Sequence, residues 1–277
     1  MRCIRKKVYG HKLCFIVIVV LILLLVNAYF VKESYWLESV KNFEGVSDFI
    51  SSLNVEENSF ETVINKSGND NDIFQLTDND KNSLVYALMG DHDSICFVGD
   101  SITEGSANDY HPWYEELIGL FDNKDIFNFS KSGYRTDNII SEYREKLKDN
   151  ECSLVIINIG TNDIRSKKRS SEEYLENMEV ILNFLEGKDV ILLSPWRTTD
   201  VDIALKEDKE VKIKLYDEYD EGLENMAAER KGVFYVEVNN YIKRMFNRYG
   251  EELYVLDGVH PNNELGIKLY SYSVLRS

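Results

Sequence analysis

Five short apolar runs alternate with longer helical patterns from residue 94 to the end of the chain, and this alternation limits the possible folds more than any other feature. Strands are predicted at Ile95–Val98, Ile126–Phe129, Leu154–Ile159, Val190–Leu193 and Val233–Val238. Helical patterns lie near 112–121, 137–149, 171–187, 206–230, 239–249 and 262–275. Such strand–helix–strand units predict an α/β fold with a parallel sheet that is covered by helices on both faces.

Short polar motifs follow the first three predicted strands directly. Ser101 comes after the first strand, Gly133 after the second and Asn162 after the third. They belong to the motifs Gly99-Asp100-Ser101-Ile102, Ser132-Gly133-Tyr134 and Gly160-Thr161-Asn162-Asp163. Ligands of open parallel sheets bind beyond the carboxyl ends of the strands. We therefore expect the three motifs to converge on one edge of the sheet.

A fourth motif, Asp257-Gly258-Val259-His260-Pro261, lies near the end of the chain. Its spacing puts a carboxylate and an imidazole on one loop, so that Asp257 can orient His260 through Nδ1. Nε2 of His260 would then be free to take the proton of Ser101. His111, in the stretch after Ser101, is the rival candidate for the base.

In this order the four motifs resemble those of the SGNH/GDSL hydrolase family, which is named for its Ser, Gly, Asn and His blocks. The resemblance covers about residues 94–277. It implies a flavodoxin-like, three-layer α/β/α fold with a five-stranded, mainly parallel sheet. It also implies ester hydrolysis or acyl transfer through an acyl-enzyme on Ser101, with Asp257 and His260 completing the triad. The implied oxyanion hole consists of the N–H groups of Ser101 and Gly133 and the side-chain amide of Asn162.

Ser101 also has a structural interpretation, because Ser101 and Glu104 have the spacing of a helix capping box. The two roles are compatible, since a serine at a helix N-terminus has its developing alkoxide favoured by the helix dipole. No cofactor is expected, and no His, Cys or Glu cluster has the spacing of metal ligands.

Four residues beside the predicted site are candidates for substrate contacts. They are His111, Trp113, Trp196 and Arg197, which lie in the segments after the first and fourth strands. Aromatic side chains near the mouth of a hydrolase can stack on sugar rings, and they can equally pack the loops. The sequence leaves both interpretations open.

The segment Leu13–Phe30 is almost entirely apolar and follows a tail, residues 1–12, with five basic residues and no acidic one. Eighteen helical residues span about 27 Å, which matches a bilayer core. We therefore predict a transmembrane signal anchor, with the basic tail in the cytoplasm and the rest of the chain outside the cell. The alternative is a secreted protein cleaved near Ala28. Residues 31–93 would form an extracellular spacer or a small cap, followed by the hydrolase domain at 94–277.

The charge of the chain argues against a nucleic-acid partner. The net charge is −16, and beyond residue 12 it is −21, from 27 basic and 48 acidic residues. A domain this acidic lacks the basic surface that neutralises phosphates.

The cysteines indicate no disulfide framework. Counted back from Gly99 and Gly160, Cys96 lies three residues down its strand and Cys152 eight. An offset of about five residues, at roughly 3.3 Å each, is too long for a bridge. We therefore expect two separate buried thiols.

These observations lead to three hypotheses. The first is an exported, membrane-anchored serine esterase that removes O-acyl groups, such as acetyl, from a carbohydrate or acts on another ester. The second is an O-acyltransferase that uses the same acyl-enzyme to modify an extracellular glycan. The third is a non-catalytic glycan-binding module with the same fold.

Overall fold

A computed structural model describes residues 73–167, 169–198 and 209–277. Its centre is a five-stranded sheet with strands β1 Ser94–Gly99, β2 Asp125–Ser130, β3 Leu154–Asn158, β4 Asp189–Leu193 and β5 Val233–Val236. All four strand pairs are parallel, and the spatial order is β2-β1-β3-β4-β5. The predicted α/β fold and the position of every predicted strand are confirmed.

Helices cover both faces of this sheet. Their bounds are α1 Asp78–Lys81, α2 Leu84–Asp91, α3 Ser101–Glu104, α4 Glu115–Ile118, α5 Thr136–Glu142, α6 Arg144–Asp149, α7 Ser171–Phe184, α8 Lys209–Glu229, α9 Asn239–Tyr249 and α10 Leu265–Leu275. A π-helical turn at Asp163–Lys167 and a 3-10 turn at Glu251–Leu253 interrupt the loops. The helix predicted near 137–149 consists of two, α5 and α6.

The core lies in two layers because alternate residues of each strand point to opposite faces. In β1, Ile95 and Phe97 pack with α2, α4, α9 and α10 on one face. Cys96 and Val98 pack with α5, α6, α7 and α8 on the other. The three-layer α/β/α arrangement of the sequence prediction follows from this alternation.

The residues before β1 pack on the first of these layers. Phe74, Val85 and Met89 are buried in the same cluster as the inward side chains of β1. The sequence left open whether residues 31–93 form a spacer or a cap, and the described part, 73–93, lies against the domain. The predicted membrane segment Leu13–Phe30 falls outside the described residues. None of the helices within the described ranges is long and apolar enough to cross a membrane.

Arg276 ties this leading segment to the last helix. Its guanidinium binds both carboxylate oxygens of Asp80 in α1, at 2.9 and 3.0 Å. It also donates to the carbonyls of Ile73 and Gln75, at 2.9 Å each, and to the hydroxyl of Tyr241 in α9 at 2.8 Å. Asp80 is 2% exposed. Planar, two-pronged pairing of this kind is specific to arginine.

The prediction of two separate thiols is wrong, because Cys96 and Cys152 form a disulfide with their Cα atoms 5.7 Å apart. Gly99 pairs with Asn158 rather than with Gly160, so Cys96 lies beside Val155. The offset to Cys152 is therefore three residues, not five. Moreover, β3 begins only at Leu154, two residues after Cys152.

Candidate active site

The end of β1 positions the predicted nucleophile. A Cβ atom at Gly99 would lie 2.5 Å from Oγ1 of Thr103 and 2.6 Å from the carbonyl oxygen of Asn158, so only glycine fits between α3 and β3. Asp100 then caps α3, with Oδ1 accepting from the N–H of Ile102 at 3.0 Å. The capping-box interpretation of Ser101 is therefore wrong. Because Asp100 is the cap, the hydroxyl of Ser101 is available to another partner.

That partner is His260. Oγ of Ser101 lies 2.9 Å from Nε2 of His260, and Nδ1 of the same ring lies 2.8 Å from Oδ2 of Asp257. Ser101 is 8% exposed, and the side chain of Asp257 in the same chain of hydrogen bonds is 48% exposed. Three residues that are up to 159 positions apart thus form one chain of hydrogen bonds, in the order that proton transfer from a serine requires.

The carboxylate of Asp257 is held in its ionised form. Partial burial acts to raise its pKa, but hydrogen bonds from the backbone and ring of His260 and from the N–H of Val259 outweigh it and lower the pKa below the ordinary value. Oδ1 accepts those two backbone N–H groups at 2.9 and 3.0 Å. An ionised partner stabilises the imidazolium that forms when His260 takes a proton.

The three predicted oxyanion donors lie at the same edge of the sheet. Nδ2 of Asn162 donates to the carbonyl of Tyr134, next to Gly133, at 3.1 Å and to Oδ2 of Asp100, next to Ser101, at 3.3 Å. Gly133 has φ +76°, a conformation that favours glycine, and no atom lies within 4 Å of the position of an added Cβ. The backbone at Gly133 is therefore open on the side where a side chain would stand.

Two further contacts hold these loops together. Oε2 of Glu104 accepts the N–H of Ser132 at 2.8 Å, which joins α3 to the turn that contains Gly133. Thr136 donates its N–H and hydroxyl to the carboxylate of Asp163 at 3.2 and 2.7 Å, which joins that turn to the residue after Asn162.

The sequence alone did not indicate that Asp100, Glu104 and Asp163 join the loops of the site. Asp100 and Asp163 stand inside the quoted motifs, directly before Ser101 and after Asn162, and Glu104 was assigned to a cap. One feature of the sequence could have indicated this role. A carboxylate directly beside a predicted oxyanion donor would repel the oxyanion unless hydrogen bonds or a positive charge hold it in place. Asp163 is completely buried and is paired with Arg169 at 2.9 Å.

Two of the four predicted substrate contacts are wrong, because both tryptophans belong to the core. Trp113 is 0% exposed and packs edge-on against Phe97 and Tyr270. Trp196 is 1% exposed, and its indole N–H donates to the carbonyl of Val259, beside His260. Neither ring has an open face on which a sugar could stack. Trp196 instead supports the loop that carries Val259 and His260.

The other two predicted contacts lie at the surface with partners of their own. His111 is paired with Glu115, with Nδ1 and Oε2 3.3 Å apart, whereas Ser101 is bonded to His260. The guanidinium of Arg197 binds Asp217 at 2.8 Å and lies over the ring of Tyr216. The geometry thus favours His260 over His111 as the base. Within the described part of the chain, no three His, Cys, Asp or Glu side chains are grouped so that they could hold a metal ion.

Solved structures with this architecture include three that cover 66% of the chain each. A member of the lipolytic protein G-D-S-L family from Veillonella parvula is 24% identical, with a TM-score of 0.53 over 96% of that protein. A catalytic mutant of an acetylxylan esterase from Geobacillus stearothermophilus is 18% identical and has a TM-score of 0.54, and the match covers 93% of that protein. An alpha/beta hydrolase enzyme from the metagenome of Lake Arreo, Spain, is 19% identical, with a TM-score of 0.53 over 94%. At these identities the likeness establishes the fold.

Sequence comparison identifies the family. No curated protein matches the chain. The profile of the GDSL-like lipase/acylhydrolase family, however, matches residues 97–265, a range that contains Ser101, Gly133, Asn162, Asp257 and His260. The chain belongs to the GDSL-like lipase/acylhydrolase family and is a serine hydrolase of the SGNH type that acts on acyl esters.

Proposed function

We propose that this protein is an exported, membrane-anchored esterase that removes O-acyl groups, such as acetyl, from a carbohydrate through an acyl-enzyme on Ser101. The observation that carries the proposal is the hydrogen-bond chain from Ser101 through His260 to Asp257, with links of 2.9 and 2.8 Å. It supplies the nucleophile, the base and the group that orients the base.

The reaction follows from this geometry in two steps. Oγ of Ser101 attacks the ester carbonyl while its proton passes to Nε2 of His260. The negative charge on the carbonyl oxygen is stabilised by the N–H groups of Ser101 and Gly133. Nδ2 of Asn162 adds a third donor once one of its two N–H groups leaves its present acceptor, Asp100 or the carbonyl of Tyr134. The tetrahedral intermediate then expels the alcohol, which takes the proton from His260. A water molecule, deprotonated by the same imidazole, attacks the acyl-serine and releases the carboxylic acid and free Ser101.

Two observations support export. The segment Leu13–Phe30 has the length and composition of a signal anchor, and basic residues flank it on the N-terminal side. The disulfide between Cys96 and Cys152 lies inside the domain, and such bonds persist mainly in oxidising compartments outside the cytosol. The two arguments are independent, because one rests on residues before the domain and the other on its core.

A carbohydrate substrate is supported by Tyr110, whose side chain is 70% exposed. Tyr110 and Asp109 both have left-handed backbone angles, φ 61° and 52°, which are uncommon for residues other than glycine and mark loops held by their surroundings. Asn263, three residues after His260, donates to Asp109 at 3.4 Å. The loop that presents the Tyr110 ring therefore lies against the catalytic loop. One protein of similar fold, from Geobacillus stearothermophilus, is an acetylxylan esterase.

The decisive experiment compares the full chain, purified in detergent, with its Ser101→Ala variant. The wild type should hydrolyse p-nitrophenyl acetate and an acetylated oligosaccharide, whereas Ser101→Ala should lose nearly all of this activity. Ser141→Ala, an exposed serine in α5, is the matched control and should keep wild-type rates. Equal hydrolysis by wild type and Ser101→Ala would remove Ser101 from the mechanism.

The same assay separates hydrolysis from acyl transfer. With an unacylated oligosaccharide present, a hydrolase releases acetate, whereas an acyltransferase produces more acylated sugar than acetate. A protein that binds the glycan, releases no acetate and forms no adduct between Ser101 and a fluorophosphonate probe would instead be a binding module.

A further inference from the structure

The loop that carries the catalytic base lies at the surface of the domain. Leu256 is 57% exposed, and the side chain of Asp257 is 48% exposed. Several hydrogen bonds of this loop are internal, such as the one from the N–H of Leu256 to the carbonyl of His260 at 2.8 Å. Bonds of this kind shape a loop but do not fix its place on the domain. A contact from outside the loop is needed to keep His260 within reach of Ser101.

Trp196 supplies such a contact. Its indole N–H donates to the carbonyl of Val259, the residue directly before His260. Trp196 is 1% exposed, and its ring packs edge-on against Tyr270 and Phe246, with centroids 5.1 and 6.2 Å apart. A large ring that is packed in the core has few alternative rotamers. The indole N–H therefore keeps one position and one direction.

The main chain that carries this ring is held on both sides. The side-chain amide of Asn239 in α9 donates to the carbonyl of Pro195 at 3.0 Å and accepts the N–H of Arg197 at 3.1 Å. Asn239 is itself buried. Because Trp196 stands between these two residues, its backbone is fixed by α9 just after the end of β4.

Trp196 also contacts the loop after β3. Its carbonyl oxygen accepts the hydroxyl of Thr161 and the hydroxyl of Tyr216 in α8, each at 3.1 Å. Thr161 directly precedes Asn162. One buried residue thus connects the loop of a predicted oxyanion donor with the loop of the base.

We propose that Trp196 is a positioning residue, which holds the loop at Val259 so that Nε2 of His260 stays 2.9 Å from Oγ of Ser101. This inference rests on the proposed ester hydrolysis through Ser101. It assigns Trp196 no contact with the substrate, since the effect passes through His260. A displacement of about 1 Å in a catalytic group can slow a reaction by about 10²-fold, so a support of this kind contributes to the rate.

Kinetics of Trp196→Phe in the full chain test the proposal. Phenylalanine keeps an aromatic ring in the core but has no N–H to donate. Activity is measured on p-nitrophenyl acetate after subtraction of the Ser101→Ala rate. We expect kcat to fall by about 10-fold with little change in KM, because proton transfer to the base is slowed while ester binding is not altered.

Tyr219→Phe is the matched control. It also removes one donor from a fully buried aromatic side chain, because the hydroxyl of Tyr219 donates to the carbonyl of Arg169 at 2.8 Å. Tyr219→Phe should lower the unfolding temperature and leave kcat unchanged. Equal losses of kcat in Tyr219→Phe and Trp196→Phe would overturn the proposal, because the effect would then reflect loosening of the core.

The same substitution in an Asp257→Asn background shows whether the effect passes through the base. With the imidazole in the wrong tautomer, His260 no longer acts as a base and its position loses its importance. Trp196→Phe should then lower the remaining kcat by no more than about 2-fold. A full 10-fold loss in both backgrounds would overturn the proposal, since residues that act independently contribute additively in free energy.

Unchanged kcat in Trp196→Phe would overturn the proposal as well. If Trp196→Phe does not fold, Trp196→Met, which fills the space with a flexible apolar side chain and also lacks a donor, replaces it with the same criteria. A Ser101→Ala variant with wild-type activity would contradict the proposed function instead.

Discussion

Nδ1 of His260 donates to Oδ2 of Asp257 at 2.8 Å, while Oδ1 of the same carboxylate accepts the backbone N–H of His260 at 2.9 Å. The carboxylate therefore fixes both the ring and the main chain of the residue it serves. Because the two residues are only three positions apart, the conformation of the short loop between them determines how the imidazole of His260 is oriented.

Asp257→Asn should lower kcat by about 10³–10⁴-fold without unfolding the protein. The remaining carbonyl oxygen can still accept a backbone N–H, but the amide favours the wrong imidazole tautomer. Glu264→Gln, an exposed change on the same loop, should have no effect. Rates on p-nitrophenyl acetate measure the loss of kcat in Asp257→Asn, and thermal unfolding shows whether the variant keeps its fold. A variant of wild-type activity would show that Asp257 does not orient the base.

Tyr110→Ala should reduce kcat/KM for an acetylated oligosaccharide by about 3–10-fold, the value expected for one aromatic contact. The rate on p-nitrophenyl acetate should not change, because that ester has no sugar to stack. Tyr110→Phe should behave as wild type, as should Val180→Ala, an exposed apolar residue of α7. Equal losses on both substrates would mean that Tyr110 supports the site and does not bind a sugar.

Replacing Cys96 and Cys152 by alanine should lower the free energy of unfolding by about 4 kcal/mol, because the bond closes a loop between residues 56 positions apart. Urea denaturation measures this difference. Dithiothreitol should destabilise the wild type and leave the double variant unaffected. If reductant changed neither protein, the bond would make no contribution to stability.

The stability of the wild type should fall between about pH 4 and 7, in part because of Asp100. Burial raises its folded-state pKa from 3.8 to about 7. In this range the unfolded chain has already lost a proton that the folded protein still binds, so rising pH favours unfolding. The effect of this one group is on the order of 4 kcal/mol. Asp100→Asn should remove it, which urea denaturation at pH 4.5, 6 and 8 would reveal as a flatter profile. An unchanged slope would contradict the raised pKa.

The sequence was sufficient to predict the strands of the sheet and the convergence of the four motifs on one of its edges. Short apolar runs predicted all five strands, and parallel strands bring their carboxyl ends to one edge. The hydrogen bonds of His260 to both Ser101 and Asp257 therefore agree with a prediction made from the order and spacing of the motifs and from their resemblance to the SGNH/GDSL family.

Features that depend on register and depth could not be predicted in this way. The bond between Cys96 and Cys152 required knowing that Gly99 pairs with Asn158. The burial of Trp113 and Trp196 required knowing which way two loops turn, since their sequence positions beside the site are compatible with either direction. The second contact of Asp100 joins two loops that are 62 positions apart, and no local pattern indicates it.

The contacts of Arg276 with the segment before β1 limit where the enzyme can be shortened. A protein trimmed to start at residue 94, where the hydrolase motifs begin, would lack Asp80 and the carbonyls of Ile73 and Gln75, which bind four of the guanidinium's N–H groups. Arg276 would then lose its carboxylate partner, and the core face that Phe74, Val85 and Met89 cover would be exposed to water. A stable fragment of this domain therefore needs the residues before β1 that bind Arg276, which lie outside the range 97–265 that matches the family profile.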